Sequence, residues 1–124
     1  MKQFNEFLVE SKRAKIKNFL KFACDHLELS DKPNVIIIDN PDFSAKNKTF
    51  GIYSLADDTI KVQIAERHPM DIYRTLAHEL VHYKQKISGK EMDGGDGSDI
   101  ENEANATAAV ILRQYSHHIP NHGY

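Results

Sequence analysis

His78-Glu79-Leu80-Val81-His82 sets two imidazoles four residues apart, with a carboxylate beside the first. On a helix, residues at that spacing stand one turn above each other on the same face, so both rings can reach one metal ion. This is the HExxH pattern, in which the histidines hold zinc and the glutamate serves as a base. A hydrolytic zinc site uses three protein ligands and keeps one position for water, so a third donor must come from elsewhere in the chain. The candidates are Glu101 and Glu103. Their spacing of two places them about 200° apart on a helix, so one orientation cannot aim both at the same ion. Ser98 and Glu101 fit the S-x-x-E capping box, which gives Glu101 a structural task. Glu103 has no such task, and Ala104, Ala106, Ala108 and Ala109 around it would let its helix approach closely. Glu103 is therefore the expected third ligand.

These side chains need elements to position them. Apolar periodicity predicts a helix from Pro69 to about Ser88, with Gly89 as its terminator. Ile72, Leu76, Leu80, Tyr83 and Ile87 form its core face, opposite His78 and His82. A second helix runs from Ser98 to about Tyr115. Upstream, Ile16, Phe19, Leu20, Ala23 and Leu27 make one helical stripe, and Phe4, Phe7 and Leu8 a shorter one, as one helix or two pieces. Between them lie three strand candidates, Val35 to Ile38, Phe50 to Leu55 and Thr59 to Ala65, the last two joined by Ala56-Asp57-Asp58. Ile60, Val62 and Ile64 share one face of the third. The expected class is α+β: an N-terminal helix, a small, mostly antiparallel three-stranded sheet, the HExxH helix and the glutamate helix.

The chain has 124 residues, which fits one domain over 1–124. Its 16 Lys+Arg against 18 Asp+Glu give a net charge of -2, without the basic excess of a nucleic-acid binder. No apolar run approaches the roughly 18 to 20 residues of a membrane span. Cys24 is the single cysteine, so there is no internal disulfide. With no secretory signal pattern at the start, the expected compartment is the cytoplasm. Lys12, Arg13, Lys15, Lys17 and Lys21 read as a solvated helix face. Asp93, Asp96, Asp99 and Glu101 recur every two or three residues in a Gly-rich stretch, without the spacing of a calcium loop.

From His78 to about Leu112 the chain resembles zinc metallopeptidases of the gluzincin type, in which HExxH is followed by a glutamate ligand on a second helix. Glu103-Ala104-Asn105 and the Ala-rich stretch after it look like the glutamate helix of small HExxH proteins such as the ImmA/IrrE-like peptidases. The resemblance implies one zinc ion per chain, held by His78, His82 and Glu103, and a peptide or protein substrate. Glu79 would then be general base and acid. For an oxyanion donor, the nearest candidates by sequence are Tyr115, His117 and His118. Thermolysin-like relatives carry an acid four residues after the ligand glutamate to orient an imidazole; counted from Glu103, that position is Thr107. In resembling enzymes the substrate lies along a sheet edge, for which Thr59 to Ala65 is the candidate.

The first ten residues, from Met1 to Glu10, look like the capsid-targeting segments of proteins packaged in tailed-bacteriophage heads. Leu8-Val9-Glu10 before Ser11 is similar to the sites where prohead proteases cut such segments. That likeness implies a phage product, possible carriage in the virion, and a prohead scaffold or protease as partner of residues 1–10. Residues 117–124 read as a flexible polar tail. The expected activity is zinc-dependent peptide-bond hydrolysis; the alternative is a non-catalytic phage head or regulatory protein that retains the zinc site.

Overall fold

In the computed structural model, residues 4–90, 92 and 98–118 are described, with side chains from residue 11 onward. The chain order is α1 (Phe4–His26), β1 (Asn34–Ile38), α2 (Asp42–Asn47), β2 (Gly51–Ser54), β3 (Thr59–Gln63), α3 (Pro69–Ile87) and α4 (Asp99–His118). This is an α+β fold of four helices and a three-stranded mixed sheet. α1 is one continuous helix rather than two pieces. Residues 1–3 of the targeting-like segment lie outside the described residues, as do the acids Asp93 and Asp96 and the tail from 119 on. Of the tail expected over 117–124, His117 and His118 belong to α4 instead.

The strand order is β1-β3-β2, with β1 parallel to β3 and β2 antiparallel to it. The sheet is thus half parallel, not mostly antiparallel. Composition accounts for the order: β3 alternates Ile60 and Val62 on its inner face, followed by Ile64, all fully buried. Such a strand is most stable at the centre, where both backbone edges are paired. β3 therefore cannot be the free edge expected to receive a substrate; the sheet edges are β1 and β2. α2 was not expected. It follows the turn at Asn40, whose side chain accepts from the Asp42 amide at 2.9 Å, and its Ser44 amide donates to the buried Gln63 at 2.8 Å.

α3 packs on one face of the sheet, and α1 and α4 pack against α3 and each other. The α1 stripe of Ile16, Phe19, Ala23 and Leu27 is buried as its periodicity requires, and Phe19 stacks on Tyr73 of α3 with ring centroids 4.7 Å apart. The core face of α3 is buried through Ile72, Leu76, Leu80 and Tyr83, whereas Ile87, in its last turn, is exposed. α4 buries Ala104, Ala108, Ile111, Leu112 and Tyr115. No helix among the described residues is long and apolar enough to cross a membrane.

Candidate metal centre

α3 is built to be straight and well anchored through its histidines. His68 caps it, its Nδ1 accepting from the Met70 amide at 3.1 Å, and Pro69 opens the first turn, where a missing N–H costs nothing. Arg67 braces the same end by donating to the Asp71 carbonyl and to the Thr75 hydroxyl at 2.7 Å. At the other end Gly89 takes φ of 83°, and the Lys90 amide closes back onto the Gln85 carbonyl.

His78 and His82 project from this helix with their Nε2 atoms 3.1 Å apart. The third member is Glu101: its carboxylate lies 3.2 Å from His78 Nε2 and 2.7 Å from His82 Nε2. The three side chains offer one ligand atom each within a span that can hold a metal ion. A tetrahedral zinc with bonds of about 2.0–2.1 Å separates its ligand atoms by roughly 3.3 Å. The two ring nitrogens, 3.1 Å apart, are within a few tenths of an ångström of that, one carboxylate oxygen of Glu101 lies toward each of them, and the residue types fit.

Glu103, the expected ligand, is elsewhere. Its carboxylate takes Lys90 Nζ at 2.7 and 2.8 Å and the Gln85 amide at 2.8 Å, and these partners hold its carboxyl below the usual range. The stripe on which α4 packs explains the exchange. Ala104, Ala108, Ile111 and Tyr115 face α3, and stepping back three residues from Ala104 leads to Glu101. Two residues further on, Glu103 is turned away by the same helical geometry. The capping box is also only half used: the Glu101 amide donates to Ser98 Oγ at 3.3 Å, while the Glu101 carboxylate goes to the histidines. Ala106 and Ala109 are exposed and do not set the approach of α4 to α3; Ala104 and Ala108 do.

Moving the third member to Glu101 also moves the position four residues after it, from Thr107 to Asn105. The Asn105 side chain hydrogen-bonds the His78 imidazole. His82 Nδ1 meets the buried Gln85 Oε1 at 2.8 Å. Each imidazole thus has an amide partner outside the triangle, a feature that typically governs metal affinity. Gln85 was not singled out from sequence, although its place three residues after His82 puts it on the same side of the helix.

Glu79 is half-buried next to the triangle. Its stem packs where β2 passes closest to α3, and burial, reinforced by Glu101 and opposed by His82, raises its carboxyl to about 7. Burial also lowers His78, with His82 adding to the effect and Glu101 and Asn105 opposing it. The expected oxyanion donors are not here. Tyr115 lies fourteen residues beyond Glu101 on the same helix, about 21 Å along its axis at 1.5 Å per residue, and His117 and His118 lie farther still. Tyr115 is buried among Phe19, Phe22 and Tyr73, and the His118 ring sits 5.1 Å from that of Phe22. A groove of about 680 Å³ opens on the sheet along Ile36, Ile52 and Lys61 and is separate from the triangle.

No family model matches the chain, and no curated protein or solved structure matches it.

Proposed function

We propose that this protein is a zinc-dependent peptidase whose metal is held by His78, His82 and Glu101. The observation that carries the reading is the convergence of these three side chains, from two helices, on one point beside a buried glutamate. With their ring hydrogens on Nδ1, the two histidines and the carboxylate would present acceptor atoms alone to that point, a set that a cation holds together. Zinc bound there supplies a Lewis acid for a carbonyl and a water acidified towards neutrality.

The chain's own groups provide the rest. Glu79, half-buried beside the triangle, is placed to take a proton from water and to hand it to a leaving amine. Glu101, His78 and His82 carry no proton-transfer task; they hold and orient. β2 is the sheet edge that passes Glu79, with Gly51 against the helix there. At Gly51 the Thr49 hydroxyl bonds the outer carbonyl and amide, and an extended peptide added there as a further strand would take its place, with backbone hydrogen bonds supplying affinity.

Elemental analysis after exhaustive buffer exchange tests the ligand set. Wild type should retain about one zinc per chain, Glu103→Ala should keep that stoichiometry, and Glu101→Ala should lose it. Absence of zinc from reconstituted wild type would sink the reading, and equal retention by Glu101→Ala would sink the assignment of the third ligand.

A further inference from the structure

The arrangement around Gln85 fixes more than packing. This side chain is fully buried in α3 and makes three hydrogen bonds. Two are on one side of its amide: to the Ile100 carbonyl at 2.9 Å and to Glu103 Oε1 at 2.8 Å. Both partners are acceptors. A backbone carbonyl has no proton to give, and Glu103 is ionised, since Lys90 grips both its carboxylate oxygens. The group of Gln85 that faces them must therefore be the NH2, which places Oε1 at His82 Nδ1, 2.8 Å away. An amide oxygen only accepts, so Nδ1 must carry the hydrogen.

From this we infer that Gln85 is a positioning residue that holds a hydrogen on His82 Nδ1 and so leaves Nε2 as the ring atom that meets Glu101 and His78 at the metal point. The inference rests on the proposed metal reading for its purpose, and on the hydrogen-bond network alone for its direction. The chain of control runs outward from His82 to Gln85, then to Glu103, then to Lys90. Glu103 thus serves the triangle two steps away, as the anchor of an orienting amide. A histidine ligand with the wrong nitrogen protonated must first exchange that proton, and partners of this kind typically change metal affinity 10- to 100-fold.

The test uses the full chain labelled with 15N and stripped of metal with a chelator. Two-bond 1H–15N correlations at pH 8 should report His82 of wild type as protonated on Nδ1. Gln85→Met, which keeps length and apolar bulk but cannot accept, should show mixed His82 tautomers. In a competition titration with a chromophoric chelator, its zinc affinity should fall 10- to 100-fold. Gln85→Glu paired with Glu103→Gln, which swaps acid and amide and keeps an oxygen to accept from Nδ1–H, should restore the tautomer. A wild-type His82 protonated on Nε2, or a Gln85→Met affinity within twofold of wild type, would overturn the inference. If wild type bound no zinc, the metal reading would fall, while the tautomer of the metal-free protein would still decide the lock.

Discussion

Glu79 is the residue at which binding and turnover can be separated. It touches none of the triangle's nitrogen atoms within hydrogen-bond distance among the described contacts, yet it lies in the field of His82 and Glu101. Replacing it with Gln preserves shape and removes the proton-accepting group. Glu79→Gln should therefore bind zinc like wild type while peptide cleavage falls about 10²- to 10⁴-fold, the usual range for a lost general base. Cleavage can be followed by mass spectrometry on a peptide library; unchanged cleavage would remove Glu79 from the mechanism. Gly51 acts on the same spot from the other side. A Cβ there would run into the Thr75 methyl group, one helical turn before Glu79, and lies 3.5 Å from the Glu79 stem. Since β2 and α3 must part to admit it, Gly51→Ala should cost about 1–3 kcal/mol, as overpacking does, measurable by urea denaturation. It should also lower cleavage, because the edge strand and the base would no longer keep their spacing.

At the scale of elements, helix ends and helix faces carry different kinds of information. α1 ends without glycine: Glu28 adopts φ of 56°, and the Leu29 amide returns to the Cys24 carbonyl at 3.0 Å. That left-handed geometry costs a residue with a Cβ roughly 1–2 kcal/mol, and Glu28 is exposed. Glu28→Gly should accordingly stabilise the fold by about 0.5–1 kcal/mol net of glycine's greater chain entropy, raising the thermal midpoint by a few degrees in calorimetry. Apolar periodicity made α1, α3, α4 and the inner face of β3 legible, because burying those stripes is what forms the elements. The third member of the triangle was legible by the same rule, since Glu101 continues the buried series Ala104, Ala108, Ile111 and Tyr115. Weighing a local capping motif above that series selected Glu103, which the fold gives to Lys90 and Gln85. α2 was not legible, since it buries none of its residues and is set by the turn at Asn40 and by Gln63 nineteen residues from Ser44. Strand order depends likewise on which strand must be covered on both edges, a property of the assembled sheet.

The whole molecule joins α3 and α4 in three ways. Apolar packing of Ala104, Ala108 and Ile111 is one, the Gln85 hydrogen bonds to Ile100 and Glu103 are another, and the converging side chains of His78, His82 and Glu101 are the third. Only the last can hold an ion. A ligand that binds the folded chain alone stabilises it by RT ln(1 + [L]/Kd), about 2.7 kcal/mol at a free concentration one hundred times Kd. For a domain of 124 residues this corresponds to roughly 10 °C in thermal midpoint. Zinc buffered at that excess should therefore raise the midpoint of wild type by about 10 °C, and chelation should reverse the change. Glu79→Gln should respond like wild type, because it keeps all three ligands. Glu101→Ala should lose most of the rise, since a two-histidine remnant on α3 no longer ties α4 to it. A shift of equal size in Glu101→Ala would mean that zinc reads α3 alone, and the two helices would then owe their junction to the apolar seam and the Gln85 hydrogen bonds.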